Sequence, residues 1–180
     1  VVSAPWAREL FIPHPGMVMV GADLEGLELR ALGHYLAAFD EGAFADVVVN
    51  GDIHTQNAER VGCSRSEVKS LVYGFIYGAG DVKLGHILHP ELSDAQKKSL
   101  GTELRRKFLD AIPGLEPLVN AVKAKVRSAG QLKALDGRPI FCRAEHSSLN
   151  FLLQSCGAIL SKRWCVIGQD LLDEAGLVYV

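Results

Sequence analysis

The sequence contains no apolar run approaching the roughly 18 residues that a membrane-spanning helix needs, so no membrane partner is expected. It is poor in cysteine, and its four (Cys63, Cys142, Cys156 and Cys165) lack the close pairing of a zinc site. They read as reduced core thiols of a cytoplasmic protein. His86 and His89 have no further ligand at a zinc-like spacing, so they are read without a metal. No signal peptide or initiator methionine opens the chain: Val1-Val2-Ser3-Ala4-Pro5-Trp6 reads as a cut inside a longer protein. Repeats, low-complexity stretches and flexible linkers are absent too. What remains, 180 residues at 48% hydrophobic and 22% charged, suits one globular domain with a real core.

A basic excess is also missing. The net charge of −2 by itself argues against a nucleic-acid binder. The distribution is uneven, however. Residues 1–60 carry three basic and nine acidic side chains, net −6, and residues 61–180 carry sixteen and twelve, net +4. Such a division fits metal-binding carboxylates beside a phosphate-binding surface, and equally fits ordinary scatter of surface charge.

The chain is predicted to be mostly helical. Met17-Val18-Met19-Val20 fits a short buried strand, ended by Gly21-Ala22-Asp23. Leu27, Ala31 and Tyr35, with Leu32 and Leu36 beside them, mark a helix to about Ala38. Asp40-Glu41-Gly42 and Asn50-Gly51-Asp52 punctuate a loop region around another short segment. Ser64 with Glu67, and Ser93 with Gln96, are capping boxes that open two helices. The first breaks near Gly78 and Gly80, and the second ends at Pro113-Gly114. Leu118, Val122 and Val126 mark a further helix stopped by Gly130. Asp136-Gly137 signals a hairpin between Leu132–Leu135 and Pro139–Cys142. A long apolar helix runs from about Ser147 to Glu174, stopped by Gly176, and Leu177–Val180 begins another strand. These few strands cannot close a sheet alone.

One helix face carries chemistry. Arg65, Lys69, Tyr73 and Tyr77 recur at steps of four, each turning about 400°, so the four share a slowly drifting face. Cations near a helix N-terminus suit a polyphosphate, and an aromatic one turn on suits stacking against a base or sugar. Taken alone, the face also fits a solvated basic edge that runs into a core aromatic stripe.

The surrounding sequence decides between these. Asp23-Leu24-Glu25-Gly26-Leu27-Glu28-Leu29-Arg30 resembles motif A of the family A (Pol I family) DNA polymerases. Arg65-x3-Lys69-x3-Tyr73-x3-Tyr77-Gly78 resembles their motif B. Leu135-Asp136-Gly137-Arg138, followed by His146-x3-Asn150-x3-Gln154, resembles the segment that comes next. Gly51-Asp52-Ile53-His54-Thr55 and Tyr73-Gly74-Phe75-Ile76-Tyr77-Gly78-Ala79-Gly80 look like members from short-tailed phages. Motif order and spacing agree over nearly the whole chain.

The resemblance implies an α+β fold, mostly helical, forming part of a polymerase right hand. Residues 1–38 would be a palm segment, 39–145 the fingers, and 146–180 a palm helix with the start of a strand. It implies template-directed DNA synthesis, with dNTP and primer-template DNA as partners and two Mg2+ ions as cofactors. Asp23 would be the catalytic metal ligand, with the carbonyl of Leu24 helping. Glu28 would be the steric gate against a ribose 2′ hydroxyl, and Tyr73 would pack on the sugar and hydrogen-bond Glu28. His54, Arg65 and Lys69 would contact the triphosphate, Lys69 also assisting pyrophosphate departure. Tyr77 would stack near the templating position, and Arg138 would bind the DNA backbone. His146, Asn150 and Gln154 would share a helix face along the minor groove near the primer terminus, checking pair shape through acceptors that every correct pair presents. Histidine at position 146, where many members have arginine, marks the phage-like subgroup.

The pattern also departs from the family. The second catalytic carboxylate, in a His-Asp-Glu hairpin, is not in this sequence. The isolated chain is therefore expected to polymerise very poorly, and a processivity factor would act through a thumb outside it. A second reading is a non-catalytic polymerase remnant that binds nucleotide or DNA. A third, a phage-type single-subunit RNA polymerase, conflicts with the gate at Glu28. A phage protein of this kind is expected in the bacterial host cytoplasm.

Overall fold

The computed structural model describes residues 5–177. After a 3-10 turn at Pro5–Leu10, the chain stays without regular structure up to Gly26. Eight helices then follow, interrupted by one hairpin: α1 (Leu27–Asp40), α2 (Ala43–Asn50), α3 (Ile53–Val61), α4 (Arg65–Ile76), α5 (Asp81–Leu88), α6 (Asp94–Ala111), α7 (Leu115–Ala129), β1 (Gln131–Lys133), β2 (Pro139–Phe141) and α8 (Ser148–Glu174).

The helix starts follow local chemistry. Both capping boxes form: Ser64 and Ser93 accept from the backbone N–H of Glu67 and Gln96, whose side chains reach back to the cap N–H. Asp52 caps α3 by accepting from the N–H groups of His54 and Thr55. Asp40, the last residue of α1, accepts from the N–H groups of Gly42 and Phe44 at the start of α2. Thus the short segment between the two punctuation points is the helix α2, and Asn50-Gly51-Asp52 leads directly into a second short helix, α3. Gly130, in the left-handed region, ends α7, and the antiparallel hairpin pairs Leu132 with Ile140.

The core centres on α1. Leu32 and Leu36 are fully buried there, and meet Val68, Val72 and Ile76 of α4, Leu115 of α7 and Leu153 of α8 in one cluster. Phe75 of α4 and Phe108 of α6 extend it, with ring centroids 4.9 Å apart.

Two expectations are corrected. Met17–Val20 forms no strand, and Val18 and Val20 are 83% and 82% exposed. A strand needs a neighbour to take its backbone hydrogen bonds, and among the described residues only β1 and β2 pair. Likewise Cys165 is exposed, whereas Cys156 is buried and Cys63 and Cys142 are half-buried. The cause is shared: the second half of α8 has no packing partner among the described residues, and Trp164, Val166, Ile167 and Leu171 are exposed with it. The strand expected at Leu177–Val180 falls on residues 178–180, outside the described residues.

α5 and α6 cross unusually closely. A Cβ on Gly101 would lie 1.8 Å from the Asp81 carbonyl oxygen, and one on Gly85 would lie 2.1 Å from that of Lys97. Both obstacles are backbone, so the helices themselves must part. Gly101→Ala is expected to destabilise the protein by about 1–3 kcal/mol or more, the usual cost of overpacking. Urea unfolding measures this, and an unchanged midpoint would show that the crossing is looser than described.

Candidate active site

Three elements converge on a cavity of about 440 Å3. The start of α1 contributes Glu25, Gly26, Leu29 and Arg30, the α2–α3 junction contributes Asp52 and His54, and α4 contributes Arg65, Lys69 and Tyr73. The three α4 residues share the cavity because they lie on one face at steps of four. Arg65 is the first residue of that helix, so the cavity reaches its N-terminal turn.

Electrostatically the cavity is cationic and partly pre-neutralised. Arg65 donates from Nε to Asp52 Oδ2 at 2.9 Å. Asp52 also accepts from Thr55 Oγ1 at 2.8 Å. The Arg65 guanidinium, first among these donors, holds the Asp52 carboxyl far below the usual carboxylate range. Arg30 donates to the carbonyl of Glu25. Lys69 is exposed and has no ion-pair partner among the described residues. His54 is half-buried, and its Nδ1 is buried without a hydrogen-bond partner among the described residues. Burial pushes its pKa down, reinforced by the charges of Arg65 and Lys69, so the ring is neutral at neutral pH.

Beside the cavity, Tyr77 caps the C-terminal end of α4 and donates its hydroxyl to Glu28 Oε1 at 3.2 Å. The sequence had assigned this bond to Tyr73. Instead, Tyr73 packs between its neighbours, 6.5 Å from the His54 ring and 6.2 Å from that of Tyr77. Both phenols sit one turn apart on the same face, and Tyr77, further along α4, is the one that reaches Glu28. Burial, then the Glu28 charge, raises both tyrosine pKa values. Gln154 of α8 approaches the Tyr77 hydroxyl as well.

The remaining predicted residues lie around this centre. Asp23 is exposed, with no hydrogen-bond or ion-pair partner among the described residues, and Leu24 beside it is half-buried. His146 sits in a 3-10 turn (Glu145–Ser147) before α8, not on the helix that carries Asn150 and Gln154. It lines a second cavity of about 630 Å3 with Gly78, Asp81, Arg105 and Lys123. Gly78 has φ +76°, and a Cβ there would stand 3.0 Å from the His146 carbonyl oxygen. Asn150 Oδ1 is buried without a partner among the described residues. Arg138 is exposed in the hairpin turn and paired with Asp136.

Sequence reasoning missed Asp52 and Arg30. The first was legible as an Asp before a helical pattern, but its pairing with Arg65 needs the α3–α4 arrangement. The second stood inside a quoted motif without a role.

The sequence profile that defines DNA polymerase family A matches residues 4–178. The chain belongs to DNA polymerase family A. It is 38% identical over 175 residues to the DNA-directed DNA polymerases of Enterobacteria phage T3 and Escherichia phage T7, matching 89% of this chain and 24% of each relative. The chain thus spans about a quarter of the length of these curated relatives. The polymerase domain of Pol1 from M. smegmatis, solved in complex with DNA primer-template and dNTP, has the same fold. It superposes with a TM-score of 0.67 at 20% identity, over 86% of this chain and 30% of that one. This family A chain therefore carries, as expected, a mostly helical palm and fingers portion of the right hand. Among its described residues, no helix is long and apolar enough to cross a membrane.

Proposed function

We propose that this chain forms the nucleotide-binding part of a polymerase that transfers nucleotides from dNTP to a primer 3′ hydroxyl under template direction. The observation that carries the reading is the meeting of His54, Arg65, Lys69 and Tyr73 in one cavity, reached from two helices. In this reading α1 and α8 belong to the palm, and α2 through β2 to the fingers.

The cavity residues then divide the work. Arg65 and Lys69 bind the triphosphate, and the neutral His54 offers a ring N–H without adding charge. Lys69 stabilises the charge that develops on the departing pyrophosphate or donates a proton to it. Tyr73 supplies a face for the sugar and base. Glu28 excludes a 2′ hydroxyl, and the Tyr77 bond holds its carboxylate in place. Gln154, Asn150 and His146 follow the minor groove of primer-template DNA, with Arg138 on its backbone.

The relatives' family implies Mg2+. Asp23 fits it as a donor, being an exposed carboxylate without a partner next to the Leu24 carbonyl. Hard cations take such oxygens and keep water and phosphates in their other positions. Among the described residues no group of three His, Cys, Asp or Glu gathers to hold a metal, so Asp23 and Leu24 are a partial ligand set. When bound, the metal would activate the primer hydroxyl and stabilise the leaving pyrophosphate.

Sugar choice tests the reading. Glu28→Ala in the full-length protein is expected to raise ribonucleotide incorporation relative to deoxyribonucleotide by about 10–100-fold, the range worth about 1–3 kcal/mol of relieved overlap. Single-nucleotide primer extension with dNTP and rNTP measures it. An unchanged ratio removes the gate assignment.

A further inference from the structure

Arg105 of α6 lies outside the residues already assigned, yet it binds the end of the helix that carries them. Its Nη2 donates to the Ala79 carbonyl at 2.7 Å, and its Nε donates to Asp81 Oδ1 at 2.7 Å. Its guanidinium stands over the Phe75 ring, 5.5 Å from the centroid. Thr102, also on α6, donates to the other Asp81 oxygen at 2.9 Å. One side chain thus holds the last turn of α4 (Phe75), the connecting turn (Ala79) and the first residue of α5 (Asp81).

That turn needs holding. It contains Gly78 in the left-handed region and Gly80, and glycine there leaves the backbone free to swing. Tyr77, whose hydroxyl meets Glu28, is the residue immediately before it. The Arg105 and Asp81 side chains are 33% and 26% exposed, so the pair is shielded enough to be more than a loose surface contact. A guanidinium is suited to the task because its planar fork can serve a carbonyl and a carboxylate at once, which an ammonium does not.

We propose that Arg105 is a positioning residue: through Ala79, Asp81 and Phe75 it fixes the Tyr77–Gly80 turn and so sets Tyr77 against Glu28 at the nucleotide's sugar. The inference rests on the nucleotide-site reading given above. It acts at a distance from the reacting atoms, so its signature is in selectivity and KM rather than in loss of all activity.

The test is single-nucleotide primer extension by the full-length protein carrying Arg105→Lys, with Glu28→Ala and the double variant in parallel. Arg105→Lys keeps the charge and loses the fork. It is expected to raise KM for dNTP about tenfold, with a smaller change in kcat, as slight misplacement of a positioning group does. Discrimination against rNTP is expected to fall about tenfold in the same variant. In the double variant the loss of sugar discrimination should not exceed that of Glu28→Ala alone, because both act through one contact. Asp81→Asn, which keeps an acceptor for the guanidinium, is expected to move both quantities in the same direction but less. The proposal is overturned if Arg105→Lys and Asp81→Asn change only the melting temperature, or if the losses in the double variant simply add. If Glu28→Ala itself leaves sugar discrimination untouched, the gate reading fails, and the Arg105 proposal is then decided by KM for dNTP alone.

Discussion

Asp23→Ala in the full-length protein is expected to lower kcat for nucleotide addition about a thousandfold or more, as loss of several kcal/mol of metal-borne charge stabilisation requires. The structure makes this variant clean. Asp23 is exposed and has no hydrogen-bond or ion-pair partner among the described residues, so no part of the fold leans on it. Stability should therefore stay within about 0.5 kcal/mol of the parent, as for surface changes away from special features. Rapid-quench primer extension with Mg2+ gives the rate, and thermal unfolding gives the control. Extension within tenfold of the parent would remove Asp23 from the metal site. A large loss of stability would mean that the carboxylate holds structure instead.

The elements that sequence predicted well are those whose signal is local. Ser64 and Ser93 announce their helices because a capping box closes within four residues. Asp136-Gly137 announces its hairpin because the turn needs the positive φ that Gly137 adopts. The shared face of Arg65, Lys69 and Tyr73 follows from the helical repeat alone, and the three line one cavity. What failed depends on partners. Met17–Val20 has the composition of a buried strand, but composition does not provide the neighbour that a strand pairs with. Glu28 could meet either tyrosine by spacing, and only the folded chain shows that Tyr77 is the one that bonds it. The pairings of Asp52 and Arg105 were invisible for the same reason. Each acts on a residue more than ten positions away, Asp52 on Arg65 and Arg105 on Ala79 and Asp81. No periodicity reports such pairs.

The contrast between Asp52-bound Arg65 and Lys69, which has no ion-pair partner among the described residues, separates the two cations functionally. Part of the Arg65 charge is already offset by Asp52, 2.9 Å away. Its loss should mainly weaken nucleotide binding, raising KM for dNTP about tenfold, close to the 1.4 kcal/mol of one charge-assisted bond. Lys69 lines the cavity without an ion-pair partner among the described residues, so its charge is available where negative charge builds up on the leaving group. Lys69→Ala is expected to lower kcat by about 100–1000-fold, the range for removing one preorganised stabiliser of a developing charge. Lys69→Arg then divides the two roles. An arginine keeps the positive charge but does not release a proton in the accessible pH range. Recovery to within about tenfold of the parent would make Lys69 a charge stabiliser. Failure to recover, with dNTP KM restored, would make it the acid that protonates the pyrophosphate. Pre-steady-state extension over dNTP concentration gives kcat and KM for all three variants. A smaller kcat effect for Lys69→Ala than for Arg65→Ala would contradict the division between them.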